Sequence, residues 1–290
     1  MKGLILNNAY YETPNTRYQG ERLAAELEKL GVCVEIRNNN YFAAAIKNGK
    51  LENATTGFDF CVYLDKDKYV SYALEKRGLR LFNSHDAIRV CDDKAMTFLR
   101  LADCGIPMPK TFPGLLCYTP DAAISAGTYV ILQRELGFPM IVKQCYGSLG
   151  KFVYKIDNFA QLEEISEELK CTPHLFQQFV AESAGRDIRV ICIGGRAVAA
   201  MKREAKDNFR SNIELGGTGT PYAIDEELRN LTEKVANLLK LDFCGIDVLF
   251  GKDGYLLCEV NSNAFFGGIE RATGVNVAGI YAKHIVETMK

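Results

Sequence analysis

Short apolar runs alternate with amphipathic stretches through the first 90 residues, and this alternation restricts the fold more than any other feature of the chain. Residues 3–7, 32–36, 58–64 and 79–82 read as strands. Residues 17–30 read as a helix, with Leu23, Leu27 and Leu30 at helical spacing and Gly31 as the stop; residues 68–77 read as a second helix, ending at Gly78. Strands that alternate with helices build a parallel sheet joined by right-handed crossovers. No G-x-G-x-x-G follows the first strand, so the usual dinucleotide fingerprint is missing.

A domain boundary is expected near residues 84–93. Asp92 or Asp93 then caps a helix running to about Asp103, stopped by Gly105 and Pro107. Residues 111–126, which carry Pro113 and Pro120, read as a long loop, and 129–136 as a helix. Residues 139–144 read as a buried strand, after which Gly147 and Gly150 punctuate a turn into a strand at 152–156. Asn158 caps a helix holding Leu162, Ile165 and Leu169. Further on, 175–180 and 188–193 read as strands, and Gly194-Gly195 turns the chain back through 197–201. A helix at 226–239, a hairpin at 245–261 and a closing helix complete the pattern.

The chain has 290 residues, 48% of them hydrophobic, with 35 basic and 36 acidic side chains. That mix folds into an ordered core of about two domains rather than a disordered chain. A formal charge of −1 leaves no cation excess to displace counterions, which argues against nucleic acid as a partner. No apolar run approaches the ~20 residues of a membrane span, and the N-terminal run is too short for a signal peptide. Ten cysteines occur with no C-x-x-C spacing and only three histidines, which argues against zinc. Several lie in apolar runs and read as buried, reduced thiols, in keeping with a cytoplasmic location; Cys145 reads as structural and His174 as a surface-loop residue.

The most informative segment for chemistry is Gly-Ile-Asp247-Val-Leu-Phe-Gly-Lys-Asp-Gly-Tyr-Leu-Leu-Cys-Glu259-Val-Asn261. Acidic residues inside apolar strands are costly unless paired or bound to a cation. Glu259 and Asn261, two apart, share a strand face. Asp247 joins them if it lies opposite Glu259, a register that a three-residue loop, Lys252-Asp253-Gly254, supplies and a two-residue loop reverses. Two carboxylates and an amide oxygen on one face form a hard oxygen site suited to Mg²⁺; a solvent-facing polar side of a hairpin fits the same pattern. Upstream, Lys143 ends a buried strand before a turn containing Gly147, Ser148 and Gly150, where backbone N–H groups and a point charge can meet phosphate. Between these two segments lie Arg186-Asp187-Ile-Arg189, Lys202-Arg203 and Phe209-Arg210-Ser211-Asn212. Arginines of this kind suit bidentate contacts to carboxylate or phosphate, although any one of them alone also fits a solvated strand end.

Taken in order, these motifs resemble the ATP-grasp superfamily, and within it the RimK-type α-L-glutamate ligases, from about Asp93 to the C-terminus. The resemblance rests on Asp93-Lys94 with Gly-Ile-Pro-Met-Pro-Lys-Thr, Pro-Met-Ile-Val-Lys143 with Gly-Ser-Leu-Gly, and Gln178-Phe-Val with Gly-Arg-Asp187-Ile-Arg-Val. It continues through Ala-Ala-Met-Lys-Arg203, Asn-Phe-Arg-Ser-Asn212, Gly-Ile-Asp247 and Glu259-Val-Asn261-Ser. The first 90 residues match the family's N-terminal domain only in their alternating pattern.

The resemblance implies an ATP-grasp fold of mixed α/β and α+β character: a parallel-sheet pre-ATP-grasp domain at 1–90, a central subdomain at 91–176 and a C-terminal subdomain with the metal site at 177–290. ATP would lie between the last two. Lys94 and Lys143 would meet its phosphates under the turn of Tyr146, Gly147, Ser148 and Gly150. Gln178, Phe179 and Val180 would form the adenine-edge strand, Asp187 would help hold the nucleoside, and Arg210 and Ser211 would complete the nucleotide contacts. Asp247, Glu259 and Asn261 would hold one or two Mg²⁺, or Mn²⁺ in its place, while Arg203 and Asn212 would face the reacting carboxylate and γ-phosphate.

The implied reaction is an ADP-forming ligation in which a carboxylate becomes an acylphosphate and an amine then forms an amide. The partners would be a carboxylate and an amine, such as an amino acid joined to a peptide, a carrier protein or a small metabolite, and the assembly a dimer or tetramer. Three segments depart from the family pattern: Gln144 follows Lys143 where many relatives have proline, Asn263-Ala-Phe-Phe-Gly-Gly stands where glutamate ligases read Ser-Pro-Gly, and the loop at 111–126 has no familiar pattern. The competing readings are an ATP-binding regulatory module without turnover, which has less need of the metal trio and Arg203, and a metal-dependent phosphohydrolase, which typically carries more ligating Asp and His.

Overall fold

The computed structural model describes residues 1–41, 45–52, 56–147, 150–206, 208–211 and 216–290. Its first part runs β1 (Lys2–Asn7), α1 (Pro14–Lys29), β2 (Cys33–Asn38), a small hairpin of β3 (Ile46–Lys47) and β4 (Lys50–Leu51), β5 (Phe60–Leu64), α2 (Lys68–Lys76) and β6 (Arg80–Phe82). The sheet order is β2-β1-β5-β6, every pair parallel, as the alternation requires. β5 is buried along its whole length and β1 through residues 3–6, as expected of central parallel strands covered on both faces. Thr13 and Thr16 form a capping box at the start of α1, and Pro14 fits the first turn, where its missing N–H costs nothing.

Residues 84–93, expected as a boundary, contain a helix, α3 (His85–Asp92), capped by the Ser84 hydroxyl. Its Ala87, Ile88, Val90 and Cys91 are buried, so packing organises a stretch too short to declare itself by periodicity. Asp93 caps the next helix, α4 (Lys94–Leu101), its Oδ1 accepting from the Met96 N–H at 3.0 Å.

The second sheet contains β7 (Thr111–Pro113), β8 (Met140–Gln144), β9 (Val153–Ile156) and β10 (His174–Gln178), in the antiparallel order β7-β10-β8-β9. Helices α5 (Ala126–Leu136) and α6 (Phe159–Leu169) bury Leu132, Leu162, Ile165 and Leu169 in its core. The expected long loop thus gives up its first three residues to an edge strand. β10 ends at Gln178, so Phe179 and Val180 lie beyond the strand on which they were expected. His174 is not a surface-loop residue. It opens β10, is buried, shares a 2.7 Å hydrogen bond with the Thr172 carbonyl, and packs edge-on to Phe176.

The third sheet contains β11 (Arg186–Ile193), β12 (Arg196–Glu204), β13 (Thr218–Pro221), β14 (Phe243–Gly251) and β15 (Gly254–Asn261), antiparallel in the order β13-β12-β11-β14-β15. Helix α7 (Glu226–Leu238) covers one face with Leu228, Leu231 and Val235. The chain closes with α8 (Gly267–Thr273) and α9 (Val277–Thr288). α9 and α1 lie in a core shared by the first and third sheets, where Leu23, Leu27, Phe60, Phe243, Tyr281 and Ile285 meet.

Asp247 does lie opposite Glu259, but not through the expected three-residue loop. Gly251 pairs with Gly254, leaving only Lys252 and Asp253 in the turn, and Gly254 takes a φ of +132° there. Pairing then runs regularly to Val248 opposite Leu257. An irregularity between Asp247 and Val248 skips Cys258 and restores Asp247 to Glu259. The bulge has a packing cause. Leu257 and Val260 are three apart, yet both are fully buried in the same core, and strict alternation would put them on opposite faces.

Candidate active site

The third sheet has one face that changes character along its length. At one end Ile191, Ile193, Ala199, Met201 and Phe243 belong to the core shared with the first sheet. Further along the same strands, by the same two-residue alternation, come Asp187, Arg189, Arg203 and Asp247. Register places these directly across from one another: Asp187 opposite Arg203, Arg189 opposite Asp247, and Asp247 opposite Glu259. Opposite charges facing each other across strands attract.

The ion pairs are tight. Arg203 donates from Nε to Asp187 Oδ1 at 2.8 Å and from Nη2 to Asp187 Oδ2 at 2.5 Å, and its Nη2 lies 2.9 Å from Asp247 Oδ2. Arg189 donates from Nε to Asp247 Oδ1 and from Nη2 to Oδ2, both at 2.7 Å. Burial by itself would raise the Asp247 carboxyl, but the two guanidinia outweigh it and hold the group down at about 2. Asp247 is therefore a carboxylate at any physiological pH.

Against this face stands the end of β8. The cleft between them is open to solvent and, with the solvent at its mouth counted, offers about 920 Å³ free of protein atoms. Lys143 reaches across it, its Nζ 3.8 Å from the Cys258 sulfur that the bulge exposes. Lys94, at the first turn of α4, donates from Nζ to the Gly147 carbonyl at 2.8 Å and lies 3.3 Å from Glu259 Oε1. Arg210 donates to the Gly150 carbonyl at 2.6 Å, so the glycine turn is gripped at both ends. Tyr146 donates its hydroxyl to Asp93 Oδ2 at 3.1 Å, tying the turn to the cap of α4. Gly147 has a φ of +129°, and a Cβ there would come within 2.8 Å of the Phe152 ring, so only glycine fits.

Lys94, Lys143, Tyr146, Gly147, Gly150, Gln178, Phe179, Val180, Asp187, Arg203, Arg210, Ser211, Asp247 and Glu259 all line this cleft. Asn261 does not. It sits on the Glu259 side of β15, two residue pairs further along, opposite Gly245. Ser148 and Asn212 lie outside the described residues. Asp187, expected on the nucleoside, has both oxygens engaged by Arg203. Arg186, singled out in the sequence as a candidate cation but given no role, also lines the cleft, as does Lys151, which the sequence reading did not single out. The adjacency of Lys151 to Gly150 was the available signal.

Among the described lining residues, six cations (Lys94, Lys143, Lys151, Arg186, Arg203 and Arg210) face three carboxylates (Asp187, Asp247 and Glu259). The cleft is thus locally cationic in a chain of net charge −1 and suits a polyanion. Apolar Ile141, Phe152, Val153, Phe179 and Leu249 offer a planar ring a dry surface in the same space.

All ten cysteines are free, and Cys145 is 2% exposed. Burial pushes its thiol up to about 11, which keeps it protonated and unreactive at neutral pH. Cys145→Ser is expected to leave ADP formation within about twofold of wild type, at a cost of about 1 kcal/mol for the buried hydroxyl. A loss of turnover in folded protein would make the thiol a participant.

A model of the RimK-like ATP-grasp domain matches residues 91–285, which include every cleft residue named above. The chain belongs to the RimK-like ATP-grasp family. The chain is 30% identical over 282 residues to the α-aminoadipate–LysW ligase LysX of Saccharolobus solfataricus, covering 94% of this chain and 99% of that protein. It is 36% identical over 231 residues to β-citrylglutamate synthase B of Danio rerio, covering 79% of this chain and 56% of that protein. The chain therefore spans little more than half the length of the synthases it matches. Its fold also matches the ATP-grasp ligase PsnB, solved with a minimal precursor, Mg and ADP, at a TM-score of 0.69 and 17% identity over 99% of this chain and 98% of that one. The RimK-like fold accounts for the two sheets that enclose the cleft, and structural relatives of this fold hold ADP and Mg.

Proposed function

We propose that the protein is an ATP- and Mg²⁺-dependent ligase that joins a carboxylate to an amine. The observation that carries this reading is the placing of Asp247 opposite Glu259 on a sheet face that shares its cleft with Lys94, Lys143 and Arg203. Hard oxygen donors beside a cationic cleft fit a divalent ion that arrives with a triphosphate. Asp247 and Glu259 would hold it, and Asn261, two residues on from Glu259 and outside the cleft lining, would join them only from the rim; the ion would supply positive charge to the phosphates, and Mn²⁺ fits the same oxygen set.

The chain's own groups would do the rest. Lys94, Lys143 and the glycine turn bind and orient the β- and γ-phosphates. Arg203, held rigid by Asp187 and Asp247, faces the γ-phosphoryl group as charge gathers on it. A substrate carboxylate oxygen attacks the γ-phosphorus, the bond to ADP breaks, and an acylphosphate forms. The amine nitrogen then attacks the acyl carbon, phosphate leaves, and the amine's proton passes to solvent or phosphate. No protein nucleophile takes part, in keeping with the inert Cys145.

The similarity to an α-aminoadipate–LysW ligase and to a β-citrylglutamate synthase supports amino acids, small carboxylates or a carrier protein as substrates. We extend the proposal to a peptide or carrier-protein substrate, a homo-oligomer, a cytoplasmic location, and units at 1–90, 91–176 and 177–290. Exposed free thiols at Cys33 and Cys171 support a reducing setting.

A screen of carboxylates for ADP formation in the presence of hydroxylamine tests the proposal. A stimulating carboxylate that also yields a hydroxamate is the expected result, because hydroxylamine intercepts the acylphosphate. ADP release with inorganic phosphate but without hydroxamate, for every carboxylate, would replace the ligase reading with a hydrolase.

A further inference from the structure

Asp247 is the acid least available to a ligand in the cleft. It is 3% exposed, accepts two N–H bonds from Arg189, one on each oxygen, and has the Arg203 Nη2 2.9 Å from Oδ2. A carboxylate has about four lone-pair directions, and both oxygens already face a guanidinium. Glu259 differs: its side chain is 25% exposed, and Lys94 approaches only one of its oxygens.

The two arginines on Asp247 also differ. Arg203 lines the cleft and divides itself between Asp187 and Asp247. Arg189 is absent from the cleft lining, its side chain is 15% exposed, and among the described residues it pairs with Asp247 alone. A guanidinium that touches nothing but a metal-binding candidate acts through that residue.

We infer that Arg189 is a positioning residue that makes divalent-cation binding conditional on nucleotide, by neutralising Asp247 until a polyanion fills the cleft. This rests on the metal role given to Asp247 and Glu259 above. Asp187, Arg189, Arg203 and Asp247 together carry no net charge. A bare divalent ion approaching Asp247 meets two guanidinia that have already compensated it, with Lys94 beside Glu259. Phosphates entering the same cleft offset those cations, and the Asp247–Glu259 pair then becomes attractive to a cation. Without Arg189 the quartet carries −1, and the cation no longer needs the polyanion first.

The test is Mn²⁺ binding to the full chain, read by paramagnetic resonance of free Mn²⁺, with and without ADP and against ADP alone, which itself chelates Mn²⁺. Wild type is expected to bind Mn²⁺ weakly without ADP and far more tightly with it. Arg189→Gln keeps a donor to Asp247 but removes the charge, and is expected to bind Mn²⁺ without ADP about tenfold more tightly than wild type, or better. Arg189→Lys restores the charge and is expected to return to nucleotide-dependent binding, which a merely structural role would not produce. Equal nucleotide-free Mn²⁺ affinity in wild type and folded Arg189→Gln overturns the inference. So does wild-type binding that is indifferent to ADP, a result that needs no variant. Failure of wild type to bind Mn²⁺ even with ADP overturns the metal assignment itself, and is thereby told apart from the other two.

Discussion

Glu259→Ala will abolish ADP formation and leave the protein folded. The expected fall in turnover is about 10³-fold or more, since the side chain is assigned to the charge that faces the phosphates. Stability should change by less than about 1 kcal/mol, because Glu259 is partly exposed and its one ionic partner among the described residues, Lys94, lies at 3.3 Å and also holds the Gly147 carbonyl. Two measurements on one preparation decide it: ADP release with the best carboxylate and amine, and chemical denaturation. Near-normal turnover would remove Glu259 from the metal site. Loss of turnover together with loss of fold would mean the residue is structural.

Arg203, which is 2% exposed, is expected to cost stability as well as turnover when replaced. Arg203→Met leaves Asp187 without its ionic partner and Asp247 with only Arg189. Removing one member of a buried ion network costs about 3–5 kcal/mol, because charges are left uncompensated rather than because the pair itself is strong. For a chain of this size that is a fall in Tm of roughly 10 °C. The effect has a pH signature. Asp247 is depressed to about 2 against an unfolded value of about 3.9, so its pairing stabilises the wild type fully above about pH 4 and is lost as pH falls toward 2. The variant should therefore show a shallower acid-side slope of stability between those values. A loss below about 1 kcal/mol with an unchanged slope would show that the network contributes little to the fold.

Much of the fold is legible in residue order, because its signals are local. Asp93, one of the two candidates, and Asn158 cap the helices expected of them, since a side-chain oxygen meeting an N–H two or three residues on needs no distant partner. β1, β5 and β8 are runs of apolar residues long enough to specify buried strands. What failed to show was short or tertiary in origin. Helix α3 exists because Ile88 and Val90 meet neighbours far along the chain, and β7 because an edge of β10 was free to take it. His174 looks like a loop residue until Phe176 and the Thr172 carbonyl are placed against it.

The candidate site divides in the same way. Sequence alone determined the kinds of group available: two carboxylates and an amide on a hairpin, lysines at helix and strand starts and ends, and arginines at two-residue spacing along strands. Alternation then required Asp187 and Arg189, like Glu259 and Asn261, to share faces. Only the tertiary structure decided whether those faces coincide. A two-residue turn would have sent Asp247 to the wrong side. The bulge at Cys258, imposed by the burial of both Leu257 and Val260 in one core, brought it back. Likewise a net charge of −1 says nothing of a cleft with six cations and three carboxylates, because a sum over the chain discards position, and position is what packing supplies.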